Sequence, residues 1–238
     1  MTDKEPSALA KALARALAVN DDGDNWSWDR RYNPGVLMHM HALGVVAANY
    51  NSLEAELRFL LNSFMGKQMT SSNAGNYLFE RLSNAERMDL LKRLYREQVG
   101  GTDLADRLDW FVKGFGICAE NRNILMHSEP HGRTTNALQI ISGLELRKAS
   151  KSNPGVHNFI SLKLEELRKV ADDIDAFASF GFDLSIYQIA RELGGVIRLA
   201  TREIRPTLPD NPPEPVHLTL SPQRDAKDNP PRLGSSEG

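Results

Sequence analysis

A mainly α-helical bundle carrying one small β-hairpin is the fold class this sequence predicts. Three observations carry that prediction. Apolar residues recur at spacings of three and four along several long segments, as a helix buried on one face requires. Capping signals led by serine or threonine open some of those segments. Strand-like stretches bounded by turn formers are confined to one region after Pro130. With 238 residues, 41% of them apolar, the chain is long enough for one substantial domain and demands no second.

The elements follow in order. Residues 1–24 are predicted to be a loosely attached N-terminal helix and linker, because an Ala/Leu-rich stretch over 5–19 runs into the turn formers NDDGDN. Residues 25–205 are predicted to form the helical domain. From Val36 to Phe64 a long helix places Leu53, Leu57, Leu60, Leu61 and Phe64 on its buried stripe, with Gly66 as its cap. Ser83 and Glu86 form a capping box for ERMDLLKRLYREQV, which stops at Gly100-Gly101. Thr102 then caps TDLADRLDWFVKGFGICAENRNILMHS, whose apolar residues include Leu104, Leu108, Phe111, Phe115 and Ile117. Gly114 and Gly116 each cost that helix about 1 kcal/mol relative to alanine, so something else must favour helix there, and close approach of a neighbouring helix is one such gain.

After Pro130 the stretches ALQII and LELRKAS, joined at Ser142-Gly143, read as a hairpin with HNFISL as a third strand, placing the insert at about residues 137–162. Ser161 precedes a helix with Glu165 and Glu166 in its first turn, predicted to end at Gly181. Ser185 and Gln188 form a capping box for a further helix, IYQIARELGGVIRLATREIR, on which Arg191, Arg198, Arg202 and Arg205 oppose an isoleucine-rich line. That basic stripe reads first as a solvated face and second as a contact for RNA or a partner. Residues 206–238 hold eight of the twelve prolines and few large apolar groups, so they are predicted to be a disordered tail.

Composition narrows function. The formal net charge of -2, from 29 basic and 31 acidic residues, excludes a global field that would hold polyanions indiscriminately. A local excess exists, since Lys113 to Lys169 holds nine basic residues against five acidic ones. It could draw phosphates or simply be solvated. The single cysteine, Cys118, excludes an internal disulfide and a multi-cysteine zinc site and reads as a packed core thiol. The N-terminus is a poor secretion signal, and no window offers the roughly 18 apolar residues that cross a bilayer, so a cytoplasmic location without membrane contact is expected. No phosphate-cradling glycine loop, Ser/His/Asp set or zinc cluster is present, and no cofactor is predicted.

Chemistry concentrates in ENRNILMHSEPHG, residues 120–132. A histidine can take and return a proton near neutral pH, and an arginine can neutralise charge on a phosphorane-like intermediate. Together Arg122 and His127 suffice, without metal, to drive a ribose 2′-hydroxyl onto its adjacent phosphodiester. Five residues of ideal helix turn through about 500°, leaving the two side chains about 140° apart, whereas Asn123 and His127 share a face. Bringing arginine and histidine together is therefore expected to need either a distorted last turn or a second copy of the helix across a two-fold axis. The ordinary alternative is a histidine on the helix C-terminal carbonyls and an arginine paired with Glu120 or another acid.

Other candidates weigh less. Glu54 and Glu56 lie where an acid could reach the motif but read as solvated helix charges flanking the buried stripe. His127 and His131 flank Glu129 at a spacing that suggests metal ligation, yet Pro130 argues against one helix through both, so no metal site is predicted. His39 and His41, two apart on a helix, point away from each other and read as structural.

Arg122, Asn123 and His127 resemble the motif of the HEPN superfamily (higher eukaryotes and prokaryotes nucleotide-binding domain): arginine, a polar residue, a few apolar residues and a histidine at the end of a late helix. The long early helix carrying NSLEAELRFLLNSFMG agrees with it, and the resemblance spans roughly residues 36–200. It implies an HEPN-like helical bundle dimerising through the motif helices, with a metal-independent endoribonuclease site in the cleft between protomers. His127 would be the general acid or base, Arg122 would stabilise the transition state and Asn123 would orient them. Service in defence or stress, and an antitoxin or regulatory protein as partner, would fit such an enzyme. Many relatives have lost catalysis, so the alternative is a catalytically inactive helical homodimer that binds RNA, nucleotide or protein. The hairpin after the motif and the proline-rich tail depart from the minimal pattern.

Overall fold

The computed structural model describes residues 37–65, 74–130, 144–150, 156–198 and 201–223. The expected N-terminal helix, the Gly66 cap, the ALQII strand with its Ser142-Gly143 turn, His131 and residues 224–238 lie outside them. Among the described residues the chain forms five helices: α1 (Leu37–Met65), α2 (Ala74–Arg81), α3 (Asn84–Val99), α4 (Asp103–His127) and α5 (Leu164–Glu192). Four strands, β1 (Glu129–Pro130), β2 (Leu144–Ala149), β3 (His157–Leu162) and β6 (Ser221–Gln223), make an antiparallel sheet in that spatial order. A separate two-stranded ribbon joins β4 (Ile197–Arg198) to β5 (Glu203–Ile204). The mainly helical class with a small hairpin is what the sequence predicts.

Contacts fix the directions of the helices. Asn49 donates to the Ala171 carbonyl at 3.0 Å and Phe59 stacks on Phe182 at 6.3 Å between centroids, so α1 and α5 advance together. α4 opposes α5, with Phe111 against Phe180 at one end and Gly114 under Phe177 further along. Leu53, Leu57, Leu60 and Leu61 of α1, with Phe111 and Phe115 of α4 and Phe177 of α5, are the wholly buried centre. The stripe read from α1 is therefore the core.

The capping signals are formed as expected on α3 and α4. Ser83 accepts from the Glu86 N–H while the Glu86 carboxylate takes the Ser83 N–H at 2.7 Å, and Thr102 accepts from the Ala105 N–H. On α5, Glu165 and Glu166 lie in the first turn as expected, behind the cap Lys163, whose N–H is taken by Glu166 at 2.6 Å; the expected end at Gly181 and the Ser185 capping box do not form, because the helix passes through both without interruption to Glu192. Ser185 is buried and donates its hydroxyl to the Gly181 carbonyl four residues back, a helix-interior contact rather than a cap. The helix then stops where Gly194 and Gly195 both take positive φ, at 83° and 89°. Arg198 therefore lies on the β4–β5 ribbon, so the basic stripe predicted along one helix does not form.

The largest departure is the proline-rich tail. Residues 206–223, expected to be disordered, run along α4 as an extended strap. Trp110 donates to the Pro212 carbonyl at 3.0 Å, Lys113 pairs with Glu214 at 2.9 Å and Glu120 with His217 at 2.7 Å. The carboxamide of Asn121, itself buried, bridges the strap: it donates to the Val216 carbonyl at 2.5 Å and accepts from the Leu218 N–H at 2.9 Å. Asp173 of α5 takes the Val216 N–H at 2.9 Å. Polar groups of the helices thus satisfy backbone that has no ladder of its own ahead of β6, and prolines have less conformational freedom to lose on ordering.

Candidate active site

α4 ends at the motif. The helix remains α-helical through His127, and Ser128 follows in extended conformation at φ -98° and ψ 147°, leading into Glu129-Pro130. Asn121 and Leu125 are buried on the strap and core side, while Asn123 and His127 are exposed.

Arg122 and His127 meet within one chain: Arg122 Nη1 lies 3.1 Å from His127 Nε2. This corrects the expectation that an undistorted helix would keep them apart. Five residues of rise amount to about 7.5 Å, which the long arginine side chain can cover by lying along the helix, so the angle between Cα–Cβ directions does not decide the contact. Guanidinium only donates, so the contact requires Nε2 to present its lone pair, the tautomer with hydrogen on Nδ1. Arg122 also reaches Asn123 Oδ1 at 3.3 Å and sits 5.6 Å over the Tyr50 ring. The acidic partner that the ordinary reading offered it, Glu120, pairs with His217 instead.

Beneath the arginine, Tyr50 is buried and its hydroxyl accepts from Asn84 at 2.9 Å. Burial, aided by the Glu54 carboxylate, pushes this phenol up to about 12. It is therefore a neutral support for the guanidinium. Glu54 takes the Asn84 amide at 2.6 Å and lies 4.0 Å from Arg87, so it braces α1 against α3 rather than standing in solvent. Glu56 is half-buried too; burial raises its carboxyl, and Oε2 has no hydrogen-bond partner among the described residues. The reading of both as solvated charges is thereby corrected.

The sheet supplies the rest of the site. Asn123, His127, Glu129, Arg147, Lys148 and His157 line one open groove of about 640 Å³. Register explains why Glu129, Arg147 and His157 converge, while Lys148, one residue on from Arg147, enters from the α4 side. Glu129 pairs with Arg147 across β1–β2, and Ala149 with His157 across β2–β3, so these residues share one face while Leu146 turns into the core opposite Ile160. Arg147 donates to Glu129 at 3.0 Å, and Lys148 reaches the Asn123 carbonyl at 3.4 Å, tying β2 to α4. Arg147 and Lys148 belong to the basic excess visible in the sequence. His157 gave no such signal, because its place depends on strand register across a connection whose length pattern does not reveal.

The remaining candidates sort by burial. His39 is buried with no hydrogen-bond partner for either ring nitrogen among the described residues, and burial lowers its pKa against the opposing pull of Glu165. His41 is exposed and lines a separate cleft with Met38 and Asp172, consistent with opposite directions on the helix. Cys118 is fully buried, as a core thiol should be, and burial pushes it up to about 12. Among the described residues no three His, Cys, Asp or Glu side chains are arranged to hold a metal ion, and no helix is long and apolar enough to cross a membrane. No family model matches the chain, and neither the curated proteins nor the solved structures contain a significant match.

Proposed function

We propose that the protein is a metal-independent endoribonuclease of HEPN type, with Arg122 and His127 as its reacting pair and Asn123 as their orienting neighbour. The observation that carries this reading is the 3.1 Å contact between Arg122 and His127 at the edge of a groove that also holds Arg147 and Lys148. A phosphodiester entering the groove competes for the Arg122 guanidinium, because a charge-assisted bond to phosphate is stronger than one to neutral imidazole. Drawing the arginine away frees the His127 Nε2 lone pair. His127 then takes the 2′-hydroxyl proton as that oxygen bonds to phosphorus, and Arg122 stabilises the charge on the phosphorane. The 5′ oxygen leaves, giving a 2′,3′-cyclic phosphate and a 5′-hydroxyl end.

In this reading a homodimer formed across α4 adds a second Arg–His pair and a second wall to the cleft. The test is cleavage of RNA in EDTA by the wild type, His127→Ala and Arg122→Ala. Each substitution should lower the rate by at least about 10²-fold. Equal rates in all three would assign the cleavage to a contaminant. RNA bound in the groove but left intact by the wild type would make the protein a binding module, and no engagement of RNA would turn attention to a protein partner such as an antitoxin.

A further inference from the structure

Cleavage by transesterification needs two proton transfers at opposite ends of the phosphodiester: one from the attacking 2′-hydroxyl, one to the departing 5′ oxygen. A single imidazole whose Nε2 is held by Arg122 suits the first. The groove contains a second imidazole, His157, carried by β3, which β2 separates from the β1 strand that follows α4. Its position is fixed twice over: its Cα lies opposite Ala149 of β2 and opposite Gln223 of β6, so it sits inside the sheet rather than on an edge. Its ring stands edge-on to Phe159 at 6.5 Å between centroids, which adds a side-chain constraint to the backbone one.

Resting on the ribonuclease reading above, we propose that His157 is a further catalytic residue, the general acid that protonates the 5′-oxygen leaving group while His127 acts as base. As the 2′-oxygen–phosphorus bond forms, the 2′-hydroxyl proton passes to His127 Nε2. As the phosphorus–5′-oxygen bond breaks, a proton from the His157 imidazolium passes to that oxygen. Products are the 2′,3′-cyclic phosphate and the 5′-hydroxyl strand; His157 ends neutral and His127 protonated, and exchange with water restores both. Lys148 and Arg147, beside His157 in the groove, would hold the phosphate between the two rings.

A substrate with sulfur in place of the bridging 5′ oxygen separates the roles, because a thiolate leaves without protonation. On ordinary RNA, His127→Gln and His157→Gln should each lose about 10² to 10⁴-fold in rate. On the 5′-thio substrate His157→Gln should recover to near the wild-type rate while His127→Gln stays slow. That recovery also shows that the variant is folded. An unchanged rate for His157→Gln on ordinary RNA, a loss that sulfur does not rescue, or rescue of His127→Gln instead would each overturn the assignment while leaving the Arg122–His127 reading standing. A wild type that cleaves neither substrate would end both.

Discussion

At Gly114 an added methyl group would fall within the Phe177 ring, whereas at Gly116 it would meet nothing within 4 Å. Both glycines weaken α4 equally by propensity, yet only one is required by a close helix approach. Gly116→Ala should therefore stabilise the protein by up to about 1 kcal/mol, and Gly114→Ala should destabilise it by about 1 to 3 kcal/mol through overpacking. Urea unfolding of the two variants decides it; a matching sign would refute the distinction. His39 gives a second residue-scale prediction. Its pKa is lowered from 6.5 in the fold. A group depressed in the folded state contributes stability that is whole above its unfolded pKa and is lost as pH falls through the folded one. The wild type should thus lose stability below about pH 6.5, and His39→Leu should lack that part of the loss. The same variant relieves two buried nitrogens without partners among the described residues and should gain about 1 to 3 kcal/mol at neutral pH. Parallel stability curves against pH for the two proteins would exclude His39 as the cause.

Among elements, the strap is held by polar side chains of α4 and α5 together with the buried Leu218 and with Leu208, which packs on the core. Asn121→Leu removes both carboxamide bonds and leaves the Val216 carbonyl and Leu218 N–H without that partner. The expected cost is about 2 kcal/mol or more, together with faster proteolysis between residues 206 and 223. Unchanged protease resistance would mean that the ion pairs and the Trp110 and Asp173 hydrogen bonds hold the strap without Asn121. α5 teaches a related lesson. Ser185 and Gln188 have the spacing of a capping box, but a cap needs non-helical backbone before it, and Phe177, Phe180 and Leu184 keep that backbone packed as helix. Local pattern loses there to burial on both sides of the serine.

For the molecule as a whole, the open question is where one functional unit ends. Arg122 and His127 touch inside a single chain, so mixing Arg122→Ala with His127→Ala protein should leave cleavage absent even if the chains pair. Restored cleavage would show that arginine and histidine are drawn from different protomers. The groove makes a second whole-molecule prediction. Lys148→Ala should weaken RNA binding uniformly across sequences and reduce the slope of log affinity against log salt by roughly one; an unaltered slope would place the phosphates elsewhere. What the sequence by itself determined was the helical class, the α1 core stripe and the caps of α3 and α4, because these depend on residues within a few turns of one another. Only the tertiary structure decided that α5 is continuous, that residues 206–223 are ordered, that Glu54 and Glu56 are not free surface charges, and that His157 shares a groove with His127. Each of those depends on contacts between residues distant in sequence, and on how far a side chain reaches, neither of which periodicity encodes.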